Sequence, residues 1–191
     1  MNENALPEGQ LETVITYLEM RAPPAPARLS PAAKRLAFLK AEHPTVSFYR
    51  YLYDTVGAPW LWYERRAMSD DELAAIITDN AVDIYVLYVG GVPAGYVELD
   101  RREPPDIELA YLGLIPDFIG RGLGAFLLNQ AIESAWLHEP HRLWVHSCTF
   151  DHPKALAVYQ RAGFVPYRQE TKRFDDPRLS GLMPPEAGRG L

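Results

Sequence analysis

The sequence predicts a single α/β domain with a mixed β-sheet flanked by helices, and three observations support this class. Strand and helix patterns alternate over the C-terminal half of the chain, which implies parallel crossovers. Before them, two apolar runs joined by Gly90-Gly91 indicate an antiparallel hairpin. The chain has 191 residues, 48% of them hydrophobic, so one domain can bury a sizeable core.

The chain opens with a strand over residues 14–20, bounded by a proline-rich connector at residues 21–31. Residues 32–40 are predicted as a short helix that Pro31 begins. An amphipathic helix follows over residues 45–56, where apolar side chains recur at helical spacing.

The next helix, over residues 70–78, starts from a Ser and a Glu spaced as a capping box. Further strands are expected over residues 82–89, 93–100, 107–114, 143–149 and 164–171, with helices over residues 122–137 and 153–162 between the last three. The domain is expected to span residues 1–178, and residues 179–191 to form a mobile C-terminal tail.

Composition and charge disfavour several classes of protein. The longest apolar run covers residues 109–116, far short of the ~20 residues of a membrane helix. The start of the chain lacks the features of an export signal, and the single cysteine agrees with a reducing compartment, so we expect a cytoplasmic protein. A net charge of -6 disfavours non-specific binding to nucleic acid or anionic lipid.

A glycine-rich turn between a strand and a helix is the most informative stretch. In LGLIPDFIGRGLGA, residues 112–125, Gly120, Gly122 and Gly124 alternate as the helix begins. Without Cβ atoms they let the backbone approach a ligand, and the N–H groups of the helix favour a phosphate or pyrophosphate. The spacing fits neither an NTPase phosphate loop nor a dinucleotide fingerprint. A connector that only permits tight helix–strand packing is the alternative.

A second segment, HPKALAVYQRAGF at residues 152–164, completes a resemblance to the GNAT superfamily of acetyl-CoA-dependent N-acyltransferases. The turn fits the family motif [QR]-x-x-G-x-[GA], except that Ile119 replaces Gln or Arg. The later segment fits N-x-x-A-x-x-x-Y-x-x-x-G-F, except that His152 replaces Asn. The two motifs occur in the family's order and are separated by one strand.

The resemblance implies a V-shaped opening between the fourth and fifth predicted strands, which end at Leu114 and start near Leu143. It implies acetyl-CoA as cosubstrate, with pantetheine paired to the backbone of Leu112 and Leu114, and no metal. The pyrophosphate would be held by the amides of Gly120, Arg121, Gly122, Leu123, Gly124 and Ala125. The Arg121 side chain is either a replacement phosphate contact or a solvated residue.

Acetyl transfer to an amine requires that one proton be removed and another supplied. A lysine-like amine is mostly protonated at pH 7, a deficit of roughly 4 to 5 kcal/mol. By resemblance, Tyr159 is the general acid that protonates the leaving thiolate. Because Tyr159 lies on an apolar helical stripe, packing in the core is the alternative reading.

Glu108 is the candidate general base, at a spacing that resembles the catalytic glutamate of the histone-acetylating branch of the family. Alternation along the strand places Glu108 on the same face as Leu112 and Leu114. A solvated strand carboxylate is the alternative, and Glu98 on the preceding strand is the second candidate. A water relay is also compatible with the sequence.

Seven aromatic residues crowd residues 48–63, and by resemblance this region walls the acceptor site. We hypothesise that an aromatic pocket holds a cationic amine by cation–π contact, lined by one or more of Tyr51, Trp60, Trp62 and Tyr63. Tyr49 and Tyr53 lie on the apolar stripe and are expected in the core.

Other chemically active side chains are interpreted as structural. Asp151 is expected to cap the helix that follows it or to interact with its dipole, and Cys148 to be a buried small apolar residue. Four of the histidines, His138, His141, His146 and His152, fit no metal-ligand spacing.

The sequence therefore predicts an N-acetyltransferase that moves an acetyl group from acetyl-CoA to a primary amine of a small molecule or peptide by direct attack. A non-catalytic acyl-CoA-binding sensor or partner module of the same fold is the alternative, and a nucleotide-binding oxidoreductase fits the glycine spacing poorly. No nucleic-acid or membrane partner is expected, and a homodimer is compatible with the sequence.

Overall fold

Seven strands form one mixed sheet in the computed structural model, which describes residues 6–25 and 35–188. The strands are β1 (Gln10–Met20), β2 (Leu36–Lys40), β3 (Val82–Val89), β4 (Val92–Asp100), β5 (Asp106–Leu114), β6 (Arg142–Cys148) and β7 (Val165–Asp175). Four α-helices flank the sheet: α1 (Val46–Gly57), α2 (Asp70–Ile77), α3 (Leu123–Trp136) and α4 (Ala155–Arg161). Short 3-10 helices cover Ala58–Trp60 and Pro116–Phe118. No helix in this part of the chain is both long and apolar enough to cross a membrane.

The strand order is β2-β3-β4-β5-β6-β1-β7. Strands β5 and β6 are parallel, and the other neighbouring pairs are antiparallel. The predicted mixed sheet is confirmed. The opening strand β1 lies between β6 and β7 and is antiparallel to both, so β6 and β7 run in the same direction without touching.

The parallel strands β5 and β6 separate soon after they meet. Their register covers three pairs, from Asp106 with Arg142 to Glu108 with Trp144. Beyond Glu108, β5 keeps its partner β4 on one side, whereas its other side faces a gap. This gap is the V-shaped opening predicted between the fourth and fifth strands. The same two strands are β5 and β6 in the structure because β2 was not expected.

Strand β2 corrects the prediction of a helix over residues 32–40. Residues 36–40 pair antiparallel with β3, from Leu36 with Val89 to Lys40 with Tyr85, and Phe38 stacks on Tyr85 with ring centroids 4.9 Å apart. Pairing with the open edge of β3 satisfies backbone hydrogen-bonding groups of both strands. This gain outweighs the weak local preference of these residues for a helix. Residues 32–34 and most of the proline-rich connector, residues 26–31, lie outside the described residues.

The remaining predicted elements are confirmed, with small shifts at their ends. The Thr45 side chain caps α1 by accepting a hydrogen bond from the Phe48 amide, and Ser69 and Glu72 form the predicted capping box of α2. The hairpin glycines have φ of 63° and 90°, which suits a primed two-residue turn. β1 and β7 are longer than predicted because they pair along their length, from Gln10 with Asp175 onward.

A buried ion pair fixes the loop that follows α1. Arg65 donates from Nη2 to Oε1 of Glu98 at 2.5 Å, and the Tyr49 hydroxyl donates to the other oxygen of the same carboxylate. The Glu98 side chain is fully buried, and burial raises its pKa even though Arg65 opposes the shift. The pair joins this loop to β4.

The segment after β7 packs on the same loop. Met183 and Ala187 are buried against Leu61, and the Gly188 amide donates to the Ala58 carbonyl at 3.0 Å. Leu61 has φ of +56°, a left-handed conformation that a non-glycine residue adopts at a cost. Within the segment for which the sequence suggests a mobile tail, Met183, Ala187 and Gly188 thus contact this loop.

We expect Arg65→Ala to lower the free energy of unfolding by about 3–5 kcal/mol, because it leaves the buried Glu98 carboxylate without its cation. The double variant Arg65→Met with Glu98→Met should recover most of this loss. Urea denaturation followed by circular dichroism measures both. Arg173→Ala, which breaks the exposed pair with Glu12, is the control and should change stability little. A single Arg65 variant as stable as the parent protein would contradict the expectation.

Candidate functional site

A cavity of about 430 Å³ runs through the gap between β5 and β6. On one side of the sheet it is lined by the glycine-rich turn and α4, including Ile119, Gly120, Gly122, Gly124, Ala125, Ala155, Val158 and Tyr159. On the other side it is lined by the loop after α1 and the ends of β1, β6 and β7, including Thr13, Trp60, Trp62, Tyr63, Glu64, His146, Phe150 and Phe174. The cavity thus connects the two predicted halves of the site.

The glycine-rich turn is open at the start of α3. Gly120 and Gly122 have φ of 82° and 74°, which a residue with a Cβ rarely adopts, and no atom lies within 4 Å of where a Cβ would stand. Gly122 is the N-cap of α3 and has no side chain to cap the first N–H groups. These donors and the helix dipole make the turn suitable for an anionic group.

The backbone of β5 also faces the gap. The Ile115 amide donates to the Ala94 carbonyl at 2.9 Å, so in the alternation of an antiparallel ladder Ile115 and Gly113 direct their polar groups toward β4. Leu112 and Leu114 then direct theirs away from β4, into the gap. This is the orientation that pairing with an extended ligand requires.

The two positions that depart from the family motifs have different surroundings. Ile119 lines the cavity with an apolar side chain, and the guanidinium of Arg121 lies over the Phe118 ring at 5.1 Å. The ring of His152 lies 5.2 Å from that of Trp60 in a tilted arrangement, and its Nδ1 accepts a hydrogen bond from the Lys154 amide at 3.1 Å. His152 therefore contacts the backbone just before α4, which begins at Ala155.

Tyr159 lies on α4, is 8% exposed and lines the cavity. Its ring packs edge-on against Phe164, so the expected core packing and access to the cavity occur together. Burial, with a smaller contribution from Asp151, raises the pKa of Tyr159 above its ordinary value. The hydroxyl therefore keeps its proton at neutral pH and can donate it.

A β-bulge changes the position of Glu108. Leu99 pairs with Leu109 whereas Glu98 pairs with Tyr111, which leaves Ala110 as an extra residue in β5. The expected alternation from residue 108 to residue 114 is therefore wrong. Glu108 lies on the opposite face from Leu112 and Leu114.

Glu108 instead contacts His146 of β6. Its Oε1 lies 3.2 Å from the Nδ1 of His146, across the point where β5 and β6 separate. The neighbouring Glu108 carboxylate raises the pKa of His146, although burial opposes it. Glu98, the second candidate base, lies outside the cavity in the buried pair with Arg65, which is a correction to the expectation that it could act there.

The aromatic residues of the 48–63 stretch occupy two places, and one of the four residues suggested for a pocket is in neither. Trp60, Trp62 and Tyr63 line the cavity, and Tyr49 and Tyr53 are buried in the core. Tyr51 is the exception, because it lies outside the cavity with 46% of its surface exposed.

Asp151 holds the aromatic wall against the end of β6. Its carboxylate accepts hydrogen bonds from Ser147 Oγ at 2.8 Å, the Cys148 amide at 2.9 Å and Trp62 Nε1 at 3.3 Å. The prediction that Asp151 caps α4 is wrong, since this carboxylate binds to residues before it and to Trp62. Burial raises the pKa of Cys148 to about 11, which disfavours its thiolate.

Sequence reasoning missed several residues that line the cavity on the side of the aromatic stretch: Glu64, Tyr111, His146, Phe150, Lys172 and Phe174. They come from five separate stretches of the chain, so no local spacing joins them. Residues 6–25 and 35–188 contain no group of three or more His, Cys, Asp or Glu arranged to hold a metal ion.

Residues 33–164, more than half of the chain, match the Acetyltransferase (GNAT) family. Over 72 residues the chain is 39% identical to a mycothiol acetyltransferase of Acidothermus cellulolyticus, covering 38% of this chain and 20% of that protein. Over 113 residues it is 33% identical to an uncharacterized N-acetyltransferase of Methanocaldococcus jannaschii, covering 54% and 44%. The chain thus spans less than half the length of these curated relatives.

The fold is similar to that of solved acetyltransferases. A putative GNAT acetyltransferase of Novosphingobium aromaticivorans aligns with a TM-score of 0.60 and 18% identity, over 90% of this chain and 70% of that one. The spermidine N-acetyltransferase of Vibrio cholerae, solved in complex with CoA and spermine, aligns with a TM-score of 0.57 and 23% identity, over 72% and 92%. Family match, sheet topology and glycine-rich turn agree, and this chain belongs to the GNAT family of acetyltransferases.

Proposed function

We propose that this protein transfers an acetyl group from acetyl-CoA to a primary amine by direct attack of the amine. The observation that carries the proposal is the single cavity that joins the glycine-rich turn and Tyr159 on one side of the sheet to an aromatic, partly acidic pocket on the other. A reaction between two substrates that enter from opposite faces needs such a passage.

The residues present fit acetyl-CoA. The uncapped N–H groups after Gly122 suit its pyrophosphate, and the backbone of Leu112 and Leu114 suits its extended pantetheine arm. Hydrogen bonds to a charged group contribute ~1.5 to 3 kcal/mol each, so several amides compensate for the apolar side chain at Ile119. When bound, acetyl-CoA supplies the thioester carbonyl that the amine attacks.

Tyr159 supplies the proton that the leaving sulfur needs. Its raised pKa keeps the hydroxyl protonated over the pH range in which an amine begins to lose its proton. Its position on α4, inside the cavity and beside the gap, suits a donor that acts where the C–S bond breaks.

The acceptor side favours a cationic amine with an apolar body. The faces of Trp60, Trp62 and Tyr63 provide cation–π and apolar contacts, and the carboxylate of Glu64 adds negative charge at the same wall. The structurally similar spermidine N-acetyltransferase of Vibrio cholerae, solved with CoA and spermine, supports an amine acceptor of this kind.

The function is tested by calorimetry with acetyl-CoA and by release of free thiol in the presence of polyamines, arylalkylamines, aminoglycosides and peptides. We expect binding, and thiol release that depends on one class of amine. Binding without thiol release from any acceptor would instead indicate a non-catalytic acyl-CoA-binding module. No binding of acetyl-CoA or of free coenzyme A would overturn the proposal.

Replacing Tyr159 by Phe should lower kcat by about 10²-fold, the lower end of the range for a general acid, because the sulfur loses its proton donor. The dissociation constant for acetyl-CoA should stay the same, since the ring is retained. Tyr88→Phe on β3, away from the cavity, is the matched control. An unchanged kcat in the Tyr159 variant would remove it as the acid.

Trp60→Ala should raise the acceptor KM by about 2- to 30-fold, the range that corresponds to a cation–π contact of ~0.5 to 2 kcal/mol. The affinity for acetyl-CoA should not change, because the two substrates enter from different faces. Tyr51→Ala, from the same aromatic stretch but outside the cavity, serves as the comparison. Equal acceptor KM values for the two variants would argue against an aromatic acceptor wall.

A further inference from the structure

The end of the β5–β6 pairing brings a histidine and a glutamate together on the acceptor side of the sheet. Glu108 is the last β5 residue paired with β6, opposite Trp144, and His146 lies two residues further along β6 on the same face as Trp144. The bulge at Ala110 is what places Glu108 on this face. Two positions that look unrelated in the sequence are therefore adjacent at the apex of the gap.

The geometry of the pair leaves one imidazole nitrogen free. Glu108 Oε1 lies 3.2 Å from Nδ1 of His146, and Nε2 has no hydrogen-bond partner among the described residues. The side chain of His146 lines the cavity, with the ring of Tyr17 5.9 Å away on β1. A carboxylate on one nitrogen orients a neutral imidazole so that the other nitrogen is the acceptor.

We infer that His146 accepts the proton of the acceptor amine and that Glu108 is the residue that positions it. The inference rests on the proposed function. It assigns the role of general base to the imidazole of His146 and not to the carboxylate of Glu108.

His146 takes one proton from the bound ammonium, so that the amine attacks the thioester carbon with its lone pair. As the C–N bond forms, the nitrogen releases a second proton to solvent. The C–S bond breaks and its electron pair goes to sulfur, which is protonated by Tyr159; solvent then reprotonates Tyr159, and His146 releases its proton.

Competing carboxylates in the cavity are less suited to this step. Asp151 already accepts three hydrogen bonds, from Ser147, Cys148 and Trp62, which engage both of its oxygens. Glu64 accepts one from the Tyr53 hydroxyl at 3.2 Å, so one of its oxygens is already engaged.

The groups around His146 set the direction of its pH dependence. Glu108 on β5 raises the pKa of His146 most, and the charges of Asp151 and Glu64 act in the same direction, against burial. The Tyr17 hydroxyl, bound to Glu170, has a pKa raised to about 12 and stays neutral. Because the imidazole must be neutral to accept a proton, kcat should fall as the pH drops through this raised pKa. Removing the Glu108 charge should move that fall to lower pH.

Three variants and two readouts test the inference. We expect His146→Gln to lower kcat at least 10²-fold with unchanged calorimetric affinity for acetyl-CoA, and to abolish the acidic limb of the pH profile. Glu108→Gln should retain more activity and shift that limb to lower pH. His138→Gln, which removes a histidine paired at 3.2 Å with Asp83 away from the cavity, is the matched control and should leave the profile as it is.

Nuclear magnetic resonance of the protein alone gives a readout that is independent of turnover. Among five histidines, the signal that disappears in His146→Gln should titrate above the ordinary value, and it should titrate lower in Glu108→Gln. A folded His146 variant with parental kcat, or a pH limb that Glu108→Gln does not move, would overturn the inference while leaving the proposed function intact. Absence of turnover by the parent protein with every amine would overturn both.

Discussion

The separation of β5 from β6 after three paired residues is the constraint on which the site depends. A sheet that stayed paired would bury the backbone of Leu112 and Leu114 in ladder hydrogen bonds and would close the passage between its faces. The gap leaves unpaired backbone groups, which an extended ligand can satisfy. It also allows side chains from both faces to reach one cavity. The site thus lies where the sheet is incomplete, between β5 and β6.

The aromatic wall of the cavity is held in place by residues that are distant from it in the sequence. The loop that carries Trp60 to Glu64 has little regular structure, and it is fixed to the sheet by the buried pair of Arg65 with Glu98. A hydrogen bond from Trp62 to Asp151 then ties the loop to the end of β6. A buried ion pair contributes little net stability compared with an apolar replacement, whereas loss of one partner is costly, so the loop stays at β4 as long as both residues are present.

Most of the architecture could be predicted from the sequence because its signals are local. Apolar periodicity and caps identified α1 and α2, and paired glycines identified the β3–β4 hairpin. The prediction failed where the secondary structure depends on pairing with a distant segment. Residues 36–40 form β2 only because β3 offers an open edge. Strand order also depends on partners far apart in the chain, and no local pattern shows that β1 enters between β6 and β7.

In the site, too, the residues that could be predicted are those whose sequence signals are local. The glycine-rich turn and Tyr159 lie in contiguous motifs, so they could be proposed at once. Glu108 was placed on the wrong face because one extra residue, Ala110, reverses the alternation, and a bulge has no clear sequence signature here. His146 could not be joined to Glu108 without knowledge that β5 and β6 are neighbours.

Met183 and Ala187 pack against Leu61, and the Gly188 amide donates to the Ala58 carbonyl, so a segment late in the chain supports one wall of the cavity. Tyr63 and Phe150, which line the cavity, pack against the same cluster. The glycine-rich turn lines the cavity from the other side of the sheet and is not part of this cluster. Substitutions in the late segment can therefore alter the shape of the aromatic wall while the turn keeps its geometry.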